Sequence, residues 1–205
     1  MLLELWLAFA LASLVVLLIP GPTILLVVSY GLGQGWRTAF PMACGVALGD
    51  FTAMTLSMVG LGALLATSAT LFTALKWIGA AYLVWLGISL WRAGSRLDAR
   101  ARTTATPARR MLGHAWLVTT LNPKGLTFFL AFVPQFIDPA GNFLVQVIIL
   151  EATFVGLAFA NVLVYAFAAA RAGRLVRNPR VVGTVNRVGG TLLIGAGATV
   201  AVSSR

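Results

Sequence analysis

Residues 14–22 read Leu14-Val15-Val16-Leu17-Leu18-Ile19-Pro20-Gly21-Pro22, an apolar run that stops on three helix-breaking residues. A strand of a membrane barrel would alternate polar and apolar positions, whereas this run is apolar on every side, as a lipid-embedded helix is. The same character extends outward. Between Glu4 and Arg37 lie 32 residues without a charge, between Asp50 and Lys76 lie 25, and between Glu151 and Arg171 lie 19. A bilayer crossing takes about 20 apolar residues. With 60% hydrophobic against 10% charged residues in a chain of 205, and a mean hydropathy of +0.94, the composition is that of a membrane protein. No stretch of ordinary composition is long enough to hold a large soluble enzyme domain.

Apolar runs sufficient to cross fall at roughly 3–28, 38–66, 70–91, 113–136, 143–170 and 181–203, which predicts an all-α polytopic membrane protein with six transmembrane helices. The first run is not expected to be a cleaved signal peptide. It lacks a preceding Lys or Arg, is too long for a secretory core, and does not end on a small-x-small site.

The net charge of +10 is a topology signal rather than a nucleic-acid surface, because the charges sit in connectors between apolar runs and not on a folded basic face. Arg92, Arg96, Arg100, Arg102, Arg109 and Arg110 fall in or beside one connector, 92–112, and Arg171, Arg174, Arg177 and Arg180 in another. Placing both on the cytoplasmic side puts both termini outside, with lipid as an expected partner. The long connector has little to bury and reads as a mobile tether between residues 1–91 and 113–205. Each half then has an odd number of crossings, three. Any relation between the halves is therefore an inverted repeat.

The halves share a second feature. Pro20-Gly21-Pro22 interrupts the first helix, and Asn122-Pro123-Lys124-Gly125 interrupts the fourth at a corresponding depth; paired breaks of this kind mark transport sites. Pro20, Pro22 and Pro123 free the carbonyls of Val16, Leu18 and Thr119. In lipid such groups must face protein, water or a ligand. Carbonyls from one half-helix suit a cation and the N–H groups of the next suit an anion, the two ends of a zwitterion. Simple proline kinks are the alternative.

Asp50 follows Gly45-Val46-Ala47-Leu48-Gly49 in mid-helix, where a charge costs about 2.5–3.5 kcal/mol on insertion scales. The small-xxx-small spacing admits a close neighbouring helix that would shelter the carboxyl. Asp50 is a candidate for proton exchange or for binding an ammonium group; a neutral structural aspartate is the alternative. Lys124 lies about 11 residues into its helix, about 16 Å from the start. It is expected to pair with Asp50 or a substrate carboxylate, or else to contact freed carbonyls. Glu151, the acid of the counterpart helix, ranks second, and Asn161 serves as a ligand or as interhelical glue. Gly31, Gly33 and Gly35 are expected to form a tight turn. Glycine-rich faces on the second and sixth helices allow a homo-oligomer as readily as packing within one subunit.

The residue inventory narrows the chemistry. One His and one Cys, Cys44, exclude an internal disulfide and a paired-thiol electron carrier. The lone His114 cannot supply a metalloprotease H-E-x-x-H. No catalytic residue, metal site or cofactor is expected.

Pro20-Gly21-Pro22, Gly31-Leu32-Gly33-Gln34-Gly35 leading to Gly45 through Asp50, Lys76-Trp77-Ile78-Gly79-Ala80-Ala81-Tyr82-Leu83 with Leu86-Gly87-Ile88, Asn122-Pro123-Lys124 and Pro134-Gln135-Phe136 occur in this order. With these stretches the chain resembles the LysE/RhtB family of bacterial amino-acid exporters over nearly its whole length. The resemblance implies six helices, a bacterial inner-membrane location, and efflux of amino acids or close derivatives driven by the proton-motive force. Glu151 departs from the family's usual pattern. Export of a cation or other small solute on the same scaffold is the alternative, although one Cys, one His and five Met offer few soft ligands. The orientation is directly testable: a reporter active only outside the cytoplasm is expected to work when fused after Arg205, and activity there of a cytoplasm-only reporter would reverse the assignment.

Overall fold

The computed structural model describes residues 2–67, 105–138 and 140–171, with isolated positions between 77 and 92 and between 180 and 198. Helix α1 (Leu3–Leu18) is followed by α2 (Pro22–Gln34), a single 3-10 turn (Trp36–Thr38) and the long α3 (Ala39–Thr67). In the second half come α4 (Ala108–Thr120), the short α5 (Pro123–Thr127), a π turn (Phe128–Phe132), a 3-10 turn (Val133–Phe136) and the long α6 (Phe143–Arg171). Among the described residues, Trp36–Gly60 and Phe143–Arg171 are long and apolar enough to cross a bilayer. The pair α1 and α2, bent by 55°, makes a third if it is one span. The expected spans 70–91 and 181–203 and most of connector 92–112 lie outside the described residues. Where isolated positions in them are described, Trp91 donates its indole N–H to the Arg187 carbonyl at 2.9 Å.

Both expected breaks form, for the expected reason. Ile19, held before Pro20, leaves the helical region at φ −75°, ψ 118°, as a residue preceding proline does. Pro22 and Pro123 then open α2 and α5 in the first turn, where a missing N–H has no cost. Asn122 caps α5 by accepting the Lys124 backbone N–H on its side chain at 3.1 Å.

The boundaries differ from the sequence reading in two places. The first run continues as helix to Gln34 instead of ending near 28, and Gly31 and Gly33 lie inside α2. Gly31 is held there by packing: a Cβ on it would stand 3.0 Å from the Ala166 carbonyl oxygen and from Ala169 Cβ, so α6 presses directly on its backbone. Only Gly35, at φ +77°, makes the turn, in a region that favours glycine. The fourth run begins at Ala108 and not near 113. The end of the tether is fastened to α2, since Gln34 accepts the Thr106 backbone N–H at 2.9 Å.

Helix α3 lies against α4 and α6, and α6 also packs on α1 and α2. One buried cluster joins Phe9, Met54, Phe128, Phe129 and Phe154, with the Phe129 and Phe154 rings edge-to-face at 4.9 Å. A second joins Val27, Tyr30, Met42, Met111 and Ala166. The break between α1 and α2 sits between them, Val16 and Ile19 in the first and Ile24 in the second. Outward faces carry Leu7, Leu11, Phe51, Leu56 and Ile148, as lipid contact allows.

The expected close approach at the Gly45–Gly49 face takes place against α4. A Cβ on Gly45 would collide with the Leu112 carbonyl oxygen and lie 2.8 Å from Ala115 Cβ, and one on Gly49 would lie 2.7 Å from Thr119 Cβ. This contact sets Asp50, the next residue, beside the second break. Gly45→Ala is expected to destabilise the protein by about 1–3 kcal/mol through overpacking, read as a lower melting temperature in detergent. Gly60→Ala, on the same helix with nothing within 4 Å, should leave it unchanged; equal effects would contradict the packing account.

Candidate functional site

Breaking a helix leaves the last-turn carbonyls of α1 without intrahelical donors. Pro20 and Pro22 point to Val16 and Leu18, and the structure shows four carbonyls met by three side chains. Lys124 Nζ donates to the Val16 oxygen at 3.0 Å and to the Ile19 oxygen at 2.7 Å. Asn161 Nδ2 donates to Leu17 at 3.0 Å and the Tyr165 hydroxyl to Leu18 at 2.8 Å. Asn161 and Tyr165 stand four residues apart on α6 and therefore share a face. The Thr119 carbonyl freed at the second break accepts from the Asn122 backbone N–H at 3.0 Å.

The two breaks also bind each other. Asn122 Nδ2 donates to Thr23 Oγ1 at 3.1 Å, and Thr23 Oγ1 shares a hydrogen with Thr119 Oγ1 at 3.2 Å. Gly21 leaves room for the lysine: a Cβ there would lie 3.4 Å from Nζ. Lys124 is thus buried at 9% exposure and does not snorkel. It reaches back to the carbonyl end of α1, whose dipole and free oxygens favour a cation.

Asp50 is 6% exposed. Among the described residues its carboxyl receives no hydrogen bond and has no cation within 4 Å, so the expected direct pairing with Lys124 is not formed. Instead both line one cavity with Thr23, Thr119, Asn122 and Asn161, closed on other sides by Val46, Phe154 and Val162. Its volume is about 30 Å³. That suffices for water, which needs about 10–15 Å³ on the same measure, and an amino acid requires the walls to part. Opposite charges with hydroxyl and amide groups around them form a set suited to a small zwitterion.

Of the residues singled out in the sequence, Pro20, Gly21, Pro22, Asp50, Asn122, Pro123, Lys124 and Asn161 meet at this place. Glu151 does not: it is buried on α6 and accepts the Thr55 hydroxyl at 2.6 Å. Thr23, Thr119 and Tyr165 were not singled out. Tyr165 carried a signal, standing one turn beyond Asn161. No group of three His, Cys, Asp or Glu able to hold a metal occurs among the described residues.

Replacing Lys124 by Met abandons two charge-assisted bonds, each worth about 1.5–3 kcal/mol, and strands the Ile19 carbonyl, while that of Val16 keeps the Ile19 backbone N–H at 3.3 Å. Tyr165→Phe abandons one neutral bond worth about 0.5–1.5 kcal/mol. Lys124→Met should therefore lower the melting temperature in detergent markedly more than Tyr165→Phe; the reverse order would show that the lysine does not hold the break.

The sequence model of the LysE type translocator matches residues 14–204. A Vibrio cholerae protein described as an uncharacterized membrane protein is 36% identical over 198 residues, 97% of each chain. The homoserine/homoserine lactone efflux protein of Salmonella typhimurium is 33% identical, over 97% of this chain and 96% of its own. The leucine efflux protein of an Enterobacter species is 30% identical over 94% and 93% respectively. No solved structure matches. With a family match spanning nearly the whole chain and relatives aligned along their full length, this protein belongs to the LysE type translocator family.

Proposed function

We propose that the chain is a secondary exporter of amino acids or close derivatives across the bacterial inner membrane, working by proton antiport. Six crossings arranged as two inverted three-helix halves, 1–91 and 113–205, with both termini outside, complete the reading. The observation that carries it is the meeting of two broken helices at one small buried cavity lined by Asp50 and Lys124. Efflux relatives whose names specify homoserine, its lactone and leucine support a neutral amino acid as cargo.

In this reading the substrate ammonium approaches Asp50 and its carboxylate approaches Lys124. One acid and one base leave the site without a surplus charge for a basic or acidic side chain, and Val46, Phe154 and Val162 receive an apolar or hydroxylated one. The Pro20-Gly21-Pro22 and Asn122-Pro123 breaks act as hinges that widen the cavity. Asp50 gives up its proton to the cytoplasm and takes one from outside, so that inward proton flow drives outward substrate flow. Thr23, Asn122 and Thr119 couple the two hinges through their shared hydrogen bonds.

The test is export from cells loaded with dipeptides, comparing wild type, Asp50→Asn and empty vector. A few neutral amino acids are expected in the medium only with wild type, and a protonophore should suppress their release. Full export by Asp50→Asn would remove Asp50 from coupling. An unchanged medium with the protein present in the membrane would redirect the reading to another cargo, such as a cation.

A further inference from the structure

Glu151 is a buried acid that the proposed site does not use, and its position is not arbitrary. Asp50 lies 28 residues after Pro22, the first residue of α2, and Glu151 lies 28 residues after Pro123, the first residue of α5. Each acid is followed two positions later by a threonine, Thr52 or Thr153. Both threonines donate to the carbonyl four residues back, Thr52 to Leu48 and Thr153 to Ile149, each at 2.7 Å. Both accept an indole N–H from the broken helix of the other half: Trp116 of α4 to Thr52 at 3.2 Å, and Trp6 of α1 to Thr153 at 3.0 Å. Each acid stands on a helix of 29 residues, α3 or α6. Equal spacing from the two breaks, matching local bonds and exchanged partners align Asp50 with Glu151, Asp50 standing twelfth on α3 and Glu151 ninth on α6.

The two acids differ in one respect. The carboxyl of Asp50 is unbonded among the described residues and lines the cavity, while Glu151 is held by Thr55 at 2.6 Å and stands outside it. We propose that Glu151 is the functional counterpart of Asp50 in the second half, and that the Thr55–Glu151 hydrogen bond is a latch that opens during turnover. Corresponding halves that exchange conformations exchange the surroundings of their corresponding residues. When the carrier faces the other side, Glu151 is released to line the route and Asp50 is withdrawn. The proposal rests on the transport reading above. It adds a second acid that meets the substrate ammonium on the opposite side of the cycle.

Dicyclohexylcarbodiimide modifies protonated carboxyls in apolar surroundings, and mass spectrometry of peptides separates Asp50 from Glu151 without mutating either. Membrane vesicles containing the wild-type protein are treated at rest, and again with a pH gradient together with leucine and homoserine. At rest, modification should fall on Asp50. During turnover modification of Glu151 should rise several-fold, and in Thr55→Val it should already be raised at rest. Transport of either amino acid with Glu151 modification unchanged, and no effect of Thr55→Val, would overturn the latch and leave the exporter standing. Absence of transport of any amino acid, here and from dipeptide-loaded cells, would overturn the exporter and the latch with it.

Discussion

A helix that ends in apolar surroundings leaves carbonyl oxygens that those surroundings cannot satisfy, and the rest of this structure follows from how those of α1 are met. Each unsatisfied group there costs several kcal/mol. Burying the Lys124 ammonium is costly, and two charge-assisted hydrogen bonds of about 1.5–3 kcal/mol each offset that cost. Each defect thus relieves the other. Lys124 takes the Val16 and Ile19 carbonyls, and Asn161 and Tyr165 take Leu17 and Leu18. The first break is tied by these bonds to the second break and to α6.

The acid is positioned by different physics. Gly45 and Gly49 let α3 approach α4 at backbone distance, and the residue after Gly49 is therefore delivered beside Thr119 and Asn122. Asp50 is the only member of the site whose charged group lacks a partner among the described residues. That makes it the group with most to gain from a proton or an ammonium, whereas Lys124 is already engaged. In the proposed function, one engaged cation and one waiting acid would distinguish the two ends of a zwitterion. At about 30 Å³ the cavity holds water but not an amino acid, so that reading requires the half-helices to move.

Much of this was legible in the sequence. The apolar runs, the paired proline breaks, the burial of Asp50 and Lys124 and the small-xxx-small face follow from local patterns, and a bilayer restricts what such patterns can become. The direction in which Lys124 reaches was not legible, because three structures were compatible with its depth and only tertiary packing selects among them. For Tyr165 the only sequence signal is its place one turn beyond Asn161, which puts the two on one face but does not identify the carbonyl it meets. The extension of α2 through Gly31 and Gly33 was hidden for a similar reason: glycines weaken an isolated helix, and here α6 packs against Gly31. Glu151 was visible as an acid, but its bond to Thr55 and its equal spacing from Pro123 acquire meaning only once the start of α5 is known.

The central claim is that the cavity at the two breaks is where the cargo binds, and substrate protection tests it most directly. Thr119 lines the cavity and replacement by Cys keeps a small side chain, while Cys44→Ala removes the natural thiol. In proteoliposomes that exchange a labelled neutral amino acid, the rate of modification of Thr119→Cys by a small thiol reagent is followed with and without that amino acid. The account predicts that the amino acid slows modification at the concentrations that saturate exchange. Exchange that proceeds while modification of this position is indifferent to the amino acid would contradict it.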